Sequence, residues 1–365
     1  MRLRELRIRS WRNLARATLR PGESTTVLYG QNGQGKTNFL EAAYAALCFR
    51  SFRTTSLSEA IAWDASETTV EAEITVRGID RSLSFQIARE GKRAQLDGKT
   101  VRRDSSALMG VGAVFFGPDD LRLAKTTASE RRRFMDRAVF GAFRPYSREA
   151  QAFERILKSR NMLLRRGVTD NTLMTTYDER LAEAGARIVI RRRALVNSLR
   201  TLMVRAFHQL HSGVPVDIHY RSDPLVEMAQ SEGEIAAALR EALRDHRKTD
   251  ERRGFTGVGP QTDDLELLLN GRLAREHASQ GQLRSMVLAL KVAELQHLRK
   301  ELDEPPLLLL DDVASELDEE RREKLFEVMA SLECQSLVTV TEREHLAPLV
   351  GCVDYEVRQG ALRLV

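Results

Sequence analysis

The segment from Gly30 to Thr37, Gly-Gln-Asn-Gly-Gln-Gly-Lys-Thr, constrains the fold of this chain more than any other feature. It matches the pattern GxxxxGK[ST] at every fixed position. An apolar, β-rich run (Thr25–Tyr29) precedes it, and a helical pattern (Asn38–Phe49) follows it. In such a strand–loop–helix unit, backbone N–H groups and the helix N-terminus bind phosphates. The predicted nucleotide-binding residues of this loop are Gly30, Gln31, Asn32, Gly33, Gln34, Gly35, Lys36 and Thr37.

Two side chains of this phosphate-binding loop (P-loop) have specific expected roles. Lys36 is expected to reach the β- and γ-phosphates of ATP and to act in catalysis, and the Thr37 hydroxyl is expected to ligate Mg²⁺. The alternative is a glycine-rich turn that carries a lysine by chance. The strand before the loop and the helix after it argue against this alternative, because they are the context that the motif requires.

A second motif is the run Leu307-Leu308-Leu309-Leu310 followed by Asp311 and Asp312. The run is typical of a buried strand, and a carboxylate at the end of such a strand beside a P-loop is a Walker B site. Asp311 is therefore predicted to hold Mg²⁺, and Asp312 is predicted to polarise the water that attacks the γ-phosphate. A strand that ends in a solvated acidic turn is the alternative.

A third motif indicates the class of ATPase. The four residues Ser279, Gln280, Gly281 and Gln282 precede a helical segment (Leu283–Leu298) that ends shortly before the Walker B strand. ABC-type ATPases carry an S-x-G-Q signature at this place in the order of motifs, where it caps a helix that points at a phosphate. Alone, the motif is only a polar helix cap. The following Ser315-Glu316-Leu317-Asp318 matches the SxLD pattern of a D-loop, with Ser315 and Asp318 as its candidate residues.

The remaining patterns suggest how the chain is organised. Alternating apolar residues between Thr68 and Leu96 predict an antiparallel meander. Heptad-spaced apolar residues between Ser129 and Gly213 predict a long amphipathic helix that packs against a helix at Tyr146–Arg166. The predicted fold class is α/β: an ABC-type ATPase head with a mixed, partly parallel sheet and an inserted α-helical arm. We expect residues 1–128 and 254–365 to form the head and residues 129–253 to form the arm.

Composition excludes several other classes. The 365 residues are 42% hydrophobic and 30% charged, and the longest apolar run is far shorter than a membrane helix needs, so we expect no membrane partner. The N-terminus lacks the apolar stretch of a signal peptide. The three cysteines are scattered, without the spacing of a zinc site or a disulfide framework, which is typical of a reducing cytoplasm. A net charge of +5 suggests a polyanionic partner only weakly.

Taken together, the motifs resemble the RecF family of bacterial DNA-repair proteins along nearly the whole chain. The similar segments are Leu6–Leu14, Gly30–Ala42, Ser51–Arg53, Phe116–Leu121, Arg131–Asp136, Ser279–Lys291 and Leu309–Asp318. The resemblance implies that Arg12 and Asn13, in the first of these segments, also bind the nucleotide. It further implies a weak, DNA-stimulated ATPase that binds double-stranded, gapped or junction DNA. Its expected role is to help load recombinase onto SSB-coated single strands, with a RecR-type mediator protein as partner and with functions in replication restart and SOS induction.

Several residues depart from that pattern. Gln261 follows Gly259-Pro260 where the family usually has histidine, and Asp312 stands where many ABC ATPases have glutamate. The strand predicted at Ser336–Thr341 leads into Glu342-Arg343-Glu344 without a switch histidine, and His345 lies late. These departures predict slow hydrolysis.

Basic residues suggest where DNA binds. The clusters in the helical middle are Arg131, Arg132, Arg133, Arg191, Arg192 and Arg193. They are the expected phosphate-contacting residues, although charged helix faces are often only solvated.

The order of the motifs also predicts an ATP-dependent homodimer. In ABC-type heads the signature lies far from the P-loop of its own chain, so Ser279–Gln282 is expected to act in trans on ATP bound by a second copy. Two alternatives remain: an SMC-like DNA-tethering scaffold, which normally has a much longer helical middle, and an ABC transporter ATPase subunit, which normally has a switch histidine.

Overall fold

The computed structural model describes residues 1–54, 56–167, 170–211, 213–313, 317–346 and 351–365. The strands in these ranges are β1 (Arg2–Trp11), β2 (Leu14–Leu19), β3 (Thr25–Tyr29), β4 (Glu67–Val76), β5 (Ile79–Ala88), β6 (Gly91–Leu96), β7 (Lys99–Thr100), β8 (Ala113–Phe116), β9 (Val216–Arg221), β10 (Asp264–Leu269), β11 (Arg272–Leu273), β12 (Leu307–Asp311), β13 (Ser336–Val340), β14 (Val353–Arg358) and β15 (Ala361–Leu364). The helices are α1 (Lys36–Cys48), α2 (Ala128–Ala142), α3 (Tyr146–Arg165), α4 (Asn171–Leu210), α5 (Pro224–Met228), α6 (Glu232–Arg253), α7 (Ala274–His277), α8 (Gln280–Leu302) and α9 (Glu319–Ser331).

The chain forms two compact units. The first consists of Met1–Arg122, Arg205–Ser212 and Arg284–Val365, and the second consists of Leu123–Val204 and Gly213–Leu283. The first unit holds two six-stranded sheets, and the second holds a three-stranded sheet and most of the helices. The division predicted from the sequence, an ATPase head of residues 1–128 and 254–365 and a helical arm of residues 129–253, stays a prediction.

The first six-stranded sheet is antiparallel, in the order β2-β1-β4-β5-β6-β7. Its strands alternate buried and exposed residues, because one face packs on the core and the other faces water. In β4, for example, Val70, Ala72 and Ile74 are buried, while Glu71 and Glu73 between them are partly exposed. Strands β4, β5 and β6 of this sheet form the antiparallel meander that the alternation between Thr68 and Leu96 predicts.

The second six-stranded sheet has the order β15-β14-β3-β13-β12-β8 and is parallel except for the antiparallel pair β14–β15. Its central strands β3, β13 and β12 are largely buried and mostly apolar, as expected of a parallel sheet that is covered on both faces. Val340 pairs with Tyr29, and Asp311 pairs with Thr339. The carboxyl ends of β3, β12 and β13 therefore meet at one edge of the sheet, where ligands bind in open α/β sheets.

Helix α1 contacts strands of both sheets in the first unit. It is buried around most of its circumference, from Phe39 to Cys48. Because α1 begins at Lys36, directly after the glycine-rich loop, its N-terminus is fixed at the carboxyl edge of the parallel sheet.

The second unit is largely helical. Arg160 on α3 is fully buried and forms ion pairs with Asp178 on α4 at 2.7 Å and with Asp250 on α6 at 2.8 Å. The helices α3 and α4 correspond to the two helices predicted from the apolar spacing. None of the helices within the described ranges is long and apolar enough to span a membrane.

Candidate nucleotide-binding site

The P-loop lies between the end of β3 at Tyr29 and the start of α1 at Lys36. Two of its glycines are required by space as well as by backbone conformation. A Cβ on Gly30 (φ 148°) would lie 2.5 Å from the carbonyl oxygen of Val357, and one on Gly35 (φ 107°) would lie 2.8 Å from Oδ1 of Asn13. A Cβ at Gly30 would meet backbone and cannot be accommodated, and a Cβ at Gly35 would displace the Asn13 side chain.

The Lys36 side chain folds back across the loop. Its Nζ donates hydrogen bonds to the carbonyl oxygens of Gly30 and, at 3.0 Å, of Gln31. Burial lowers the pKa of Lys36, while the nearby charges of Asp312 and Asp311 act in the opposite direction. The ammonium group is thus enclosed by the loop whose backbone is expected to surround the phosphates.

Asp311, at the end of β12, is hydrogen-bonded to the first turn of α1. The Thr37 hydroxyl donates to its Oδ1 at 2.8 Å and to its Oδ2 at 3.0 Å, and the Thr339 hydroxyl donates to Oδ1 at 2.8 Å. Burial raises the pKa of Asp311, and the hydrogen bonds from Thr339 and Thr37 lower it. The structure therefore brings together Thr37 and Asp311, the two residues that sequence analysis assigns to Mg²⁺.

Asp312 follows in a left-handed conformation, with φ of 50°. Its N–H donates to the carbonyl oxygen and the hydroxyl of Thr339, at 3.2 and 3.0 Å. This bend ends β12 and leaves Asp312, like Asp311, half-buried. Its charge is nonetheless close enough to Lys36 to be the leading influence that raises the pKa of that lysine.

Arg12 and Asn13 form the tight turn between β1 and β2, beside α1. The guanidinium of Arg12 makes two 2.9 Å hydrogen bonds to the carboxylate of Glu41, a fully buried residue of α1. These bonds raise the pKa of Arg12. Oδ1 of Asn13 accepts a hydrogen bond from the side chain of Asn38 at 2.7 Å. Both residues therefore hold the first turns of α1, and direct contact with a nucleotide stays a prediction.

Glu41 and Arg53 are two residues that sequence reasoning did not assign. Besides Arg12, Glu41 also binds the hydroxyl of Ser51, and Arg53 lies 3.7 Å from it. Arg53 donates to the side chain of Asn38 at 2.8 Å, and its charge lowers the pKa of Asp311. The signal that could have found them is the acidic residue in Asn38–Ala42 followed by a basic residue in Ser51–Arg53.

The signature residues start α8. The Ser279 hydroxyl accepts from the N–H of Gln282 at 3.2 Å, and Oε1 of Gln282 accepts from the N–H of Ser279 at 2.9 Å. This reciprocal capping arrangement leaves Gln280 and Gly281 in the first turn of the helix. In the predicted D-loop, Oδ1 of Asp318 accepts from the N–H of Arg321 and caps α9, whereas Ser315 lies outside the described residues.

The arginines assigned to DNA differ in exposure. Arg131 makes two 2.7 Å hydrogen bonds to Asp264, and Arg192 pairs with Asp136 at 2.8 Å. Both guanidinium groups are buried, at 4% and 5% exposure, and cannot contact DNA phosphates without leaving these carboxylates.

The other four arginines are more accessible. Arg132 and Arg193 donate to backbone carbonyl oxygens, at 2.8 Å to Asp263 and 2.6 Å to Ala229. Arg133 and Arg191 are the most exposed of the six, and Arg191 lies 4.0 Å from the ring centre of Phe143. The prediction of DNA contact therefore rests mainly on Arg133 and Arg191.

Known proteins similar to this chain indicate its family. Residues 2–360 match the family described as RecF/RecN/SMC N terminal domain. DNA replication and repair protein RecF from Anaeromyxobacter dehalogenans (strain 2CP-C) is 40% identical over 369 residues, covering 99% of both chains. The protein of the same name from Myxococcus xanthus is 41% identical over 346 residues, covering 94% of this chain and 91% of the relative.

Solved structures of RecF are also similar to this chain. The recombination mediator protein RecF in the RecFOR pathway matches in two structures, RecF-ATPrS and RecF-ATP, with TM-scores of 0.91 and 0.90 at 29% identity. All of this chain and 98% and 97% of those chains are covered. An SmcHead bound to the C-winged helix domain of ScpA matches with a TM-score of 0.56 at 14% identity, over 100% of this chain and 98% of that one, a likeness of fold alone. The predicted fold class, an ABC-type ATPase head with a helical insertion, is confirmed. The chain belongs to the RecF family of DNA replication and repair proteins.

Proposed function

We propose that this protein is an ATP-dependent DNA-binding protein of recombinational DNA repair that acts in the cytoplasm. Family membership supports this proposal, as do the RecF structures described with ATP and as a recombination mediator. Its role is to bind DNA at gaps or junctions and to help load recombinase onto SSB-coated single strands, in replication restart and SOS induction. A RecR-type mediator protein is its proposed partner.

The observation that carries the proposal is the convergence of Thr37 and Asp311 beside Lys36. A hydroxyl and a half-buried carboxylate at 2.8 Å, both oxygen ligands, would fit a Mg²⁺ ion that also binds the phosphates of ATP. When bound, Mg²⁺ supplies positive charge that offsets the charge of the phosphate oxygens. The chain itself contributes the Lys36 ammonium and the backbone N–H groups at the start of α1, which bind and orient the phosphates.

Asp312 is the proposed base that orients the attacking water. Its half-buried carboxylate follows Asp311 in sequence, after the left-handed backbone at residue 312, and its charge acts on Lys36. An aspartate has a shorter reach than the glutamate common in ABC ATPases, which supports slow hydrolysis. We therefore propose a weak, DNA-stimulated ATPase whose main output is a nucleotide-dependent change in DNA binding.

A homodimer is the proposed ATP-bound form. The start of α8, a 23-residue helix, combines the exposed Ser279 hydroxyl with the backbone N–H groups of Gln280 and Gly281 in its first turn. These groups suit the γ-phosphate of an ATP molecule bound by a second copy. In this arrangement Ser279, Gln280, Gly281 and Gln282 act in trans, and the D-loop residues Ser315 and Asp318 lie at the dimer interface.

DNA binding tests the proposal directly. Affinity for gapped duplex, intact duplex and single-stranded DNA is measured with ATP, with ADP and without nucleotide. We expect ATP to increase affinity for gapped DNA, and Lys36→Ala to abolish this increase while the protein stays folded. Lys99→Ala, which removes an exposed lysine of β7 in the same unit, is the matched control and should behave as wild type. A DNA affinity that depends on neither the nucleotide nor the presence of a gap would instead favour the SMC-like scaffold.

A further inference from the structure

The hairpin β14–β15 has a turn with two backbone N–H donors that lie outside the strand ladder. Arg358 pairs with Ala361, and the two residues between them, Gln359 and Gly360, have φ of 47° and 78°. Two consecutive left-handed residues between paired strands define a type I′ turn. The N–H groups of the two central residues take no part in the strand ladder, so they must find partners elsewhere.

Both donors find the same residue of the P-loop. The N–H of Gln359 donates to Oε1 of Gln34 at 2.6 Å, and the N–H of Gly360 donates to the carbonyl oxygen of Gln34 at 2.9 Å. Side chain and main chain of one loop residue are thereby fixed by two adjacent amides. Within the loop itself, Lys36 binds the carbonyl oxygens of Gly30 and Gln31, so the hairpin supplies the contacts that fix Gln34.

Close backbone approaches complete this clamp. A Cβ on Gly360 would lie 2.8 Å from the carbonyl oxygen of Asn13, the residue whose side chain lies against Gly35. At the other end of the loop, the carbonyl oxygen of Val357 lies against Gly30. The hairpin thus contacts the loop at its first residue and near its tip, and β14 runs parallel to β3, the strand that leads into the loop.

From these contacts we propose that the turn Gln359–Gly360 positions the P-loop for ATP, with Gln34 as the connecting residue. The C-terminal hairpin and the nucleotide site are then coupled: a displaced turn weakens ATP binding, and bound ATP stabilises the turn by the same factor. The inference rests on the proposed ATP site. It adds that ATP binding requires the turn Gln359–Gly360, which lies more than 320 positions after the loop in sequence.

A matched pair of glycine substitutions tests the first half of the coupling. Gly360→Ala meets the Asn13 carbonyl, whereas Gly78→Ala has nothing within 4 Å of the new Cβ. Gly78 has φ of 73° in the type I′ turn Arg77–Gly78 between β4 and β5, so both variants carry the same backbone strain. We expect Gly360→Ala to weaken ATP binding about tenfold or more, and Gly78→Ala to match wild type. Equal ATP affinity in a folded Gly360→Ala variant would overturn the inference and leave the ATP site intact.

Amide hydrogen exchange tests the second half in the unaltered protein. Saturating ATP should slow exchange at Gln359 and Gly360 and leave the amides of Arg77 and Gly78 unchanged. In Gln34→Ala, the Gln359 amide should exchange faster while Gly360, bonded to the remaining carbonyl, stays protected. Unchanged exchange at Gln359 and Gly360 with ATP bound would contradict the coupling. A wild-type protein that binds no ATP would overturn the proposed nucleotide site, and this inference with it.

Discussion

The hydroxyl of Thr37 donates a hydrogen bond to the carboxylate of Asp311 at 2.8 Å, joining the first turn of α1 to the end of β12. The two residues are 274 positions apart in sequence. They meet because β12 and β3 lie on either side of β13 in one parallel sheet, so that their carboxyl ends share an edge. The site therefore depends on the sheet order as much as on either motif.

The two neighbouring aspartates should differ in function. Asp311→Asn removes a charge that faces Thr37, so we expect Mg²⁺-dependent ATP affinity to fall about tenfold or more. Asp312→Asn should keep ATP affinity and lose hydrolysis, because Asp312 is the proposed base for the attacking water. Titration with ATP at fixed Mg²⁺ and single-turnover hydrolysis separate the two effects. Equal loss of affinity in both variants would show that their roles are not divided in this way.

The pair Arg12–Glu41 should contribute to the stability of the P-loop helix. Arg12→Met leaves the buried Glu41 without its bidentate partner but with Ser51 and Arg53, so we expect a loss of about 1–3 kcal/mol. The double variant Arg12→Met/Glu41→Met should recover most of the lost free energy of unfolding, because it leaves no unpaired charge. Denaturant unfolding of the three variants measures this. A double variant as unstable as Arg12→Met alone would contradict the explanation.

Arg131 and Arg133, two positions apart on α2, should affect different properties. Arg131→Ala leaves the buried Asp264 without its bidentate partner and with only Arg221, at 4.0 Å, so we expect the free energy of unfolding to fall by about 3 kcal/mol. Arg133→Ala removes an exposed side chain, so stability should stay within about 0.5 kcal/mol of wild type. If Arg133 contacts a DNA phosphate, DNA affinity should fall and its dependence on salt should become shallower. An unchanged salt dependence would place the DNA site elsewhere.

Sequence reasoning succeeded where chemistry and periodicity are local. The P-loop glycines, the buried strand before Asp311 and the alternation between Thr68 and Leu96 each specify a backbone conformation within one segment. It failed where the partner of a residue is distant. Nothing in the sequence near Arg131 identifies its ion-pair partner, Asp264, a β-strand residue 133 positions later.

The same limit explains the residues that support the site. In the sequence, Glu41 is not distinguished from the other residues of its helix. Its partner is Arg12, which the tight turn after β1 brings beside it. Gln34 fits the variable position of a motif, and its contact with Gln359 follows only from the pairing of β14 with β3. Tertiary pairing of strands, which a single sequence does not encode locally, decides both contacts.

Asp263 should make stability depend on pH in an unusual direction. Burial raises the pKa of Asp263 to about 6, against the hydrogen bond from Tyr220 and the charges of nearby arginines. Between its ordinary pKa of 3.8 and about 6, the folded protein holds a proton that the unfolded chain releases. The stabilising contribution of this group is therefore present below that window and is lost as pH rises through it.

Asp263→Asn tests this dependence. We expect the difference in unfolding free energy between wild type and variant to change with pH only between about 4 and 6, by at most about 1.4 kcal/mol per pH unit. Above this window the variant should gain relative to wild type, since it has no charge to bury. Denaturant unfolding at a series of pH values measures the difference. A pH-independent difference would show that Asp263 stays ionised in the folded protein.

The signature serine gives the sharpest test of the proposed dimer. Ser279 caps α8 by the same reciprocal arrangement with which Ser231 and Glu234 cap α6, so Ser231→Arg is a matched control for the loss of a cap. Either substitution should cost about 1 kcal/mol of stability. Only Ser279→Arg places bulk and positive charge at the helix start that is expected to meet the γ-phosphate across the interface. It should therefore abolish the ATP-bound dimer and hydrolysis while each monomer still binds ATP.

Light scattering with ATP, with ADP and without nucleotide measures the dimer. A ligand shifts an equilibrium only by its difference in affinity for the two states, so ADP, which lacks the γ-phosphate, should support little dimer. Wild type and Ser231→Arg should dimerise with ATP alone, and Ser279→Arg should remain monomeric in all three conditions. A dimer equally populated with and without ATP would contradict the proposal, because the γ-phosphate would then contribute nothing to the interface. So would full ATPase activity at a dilution where only monomer remains, since each site would then be complete within one chain.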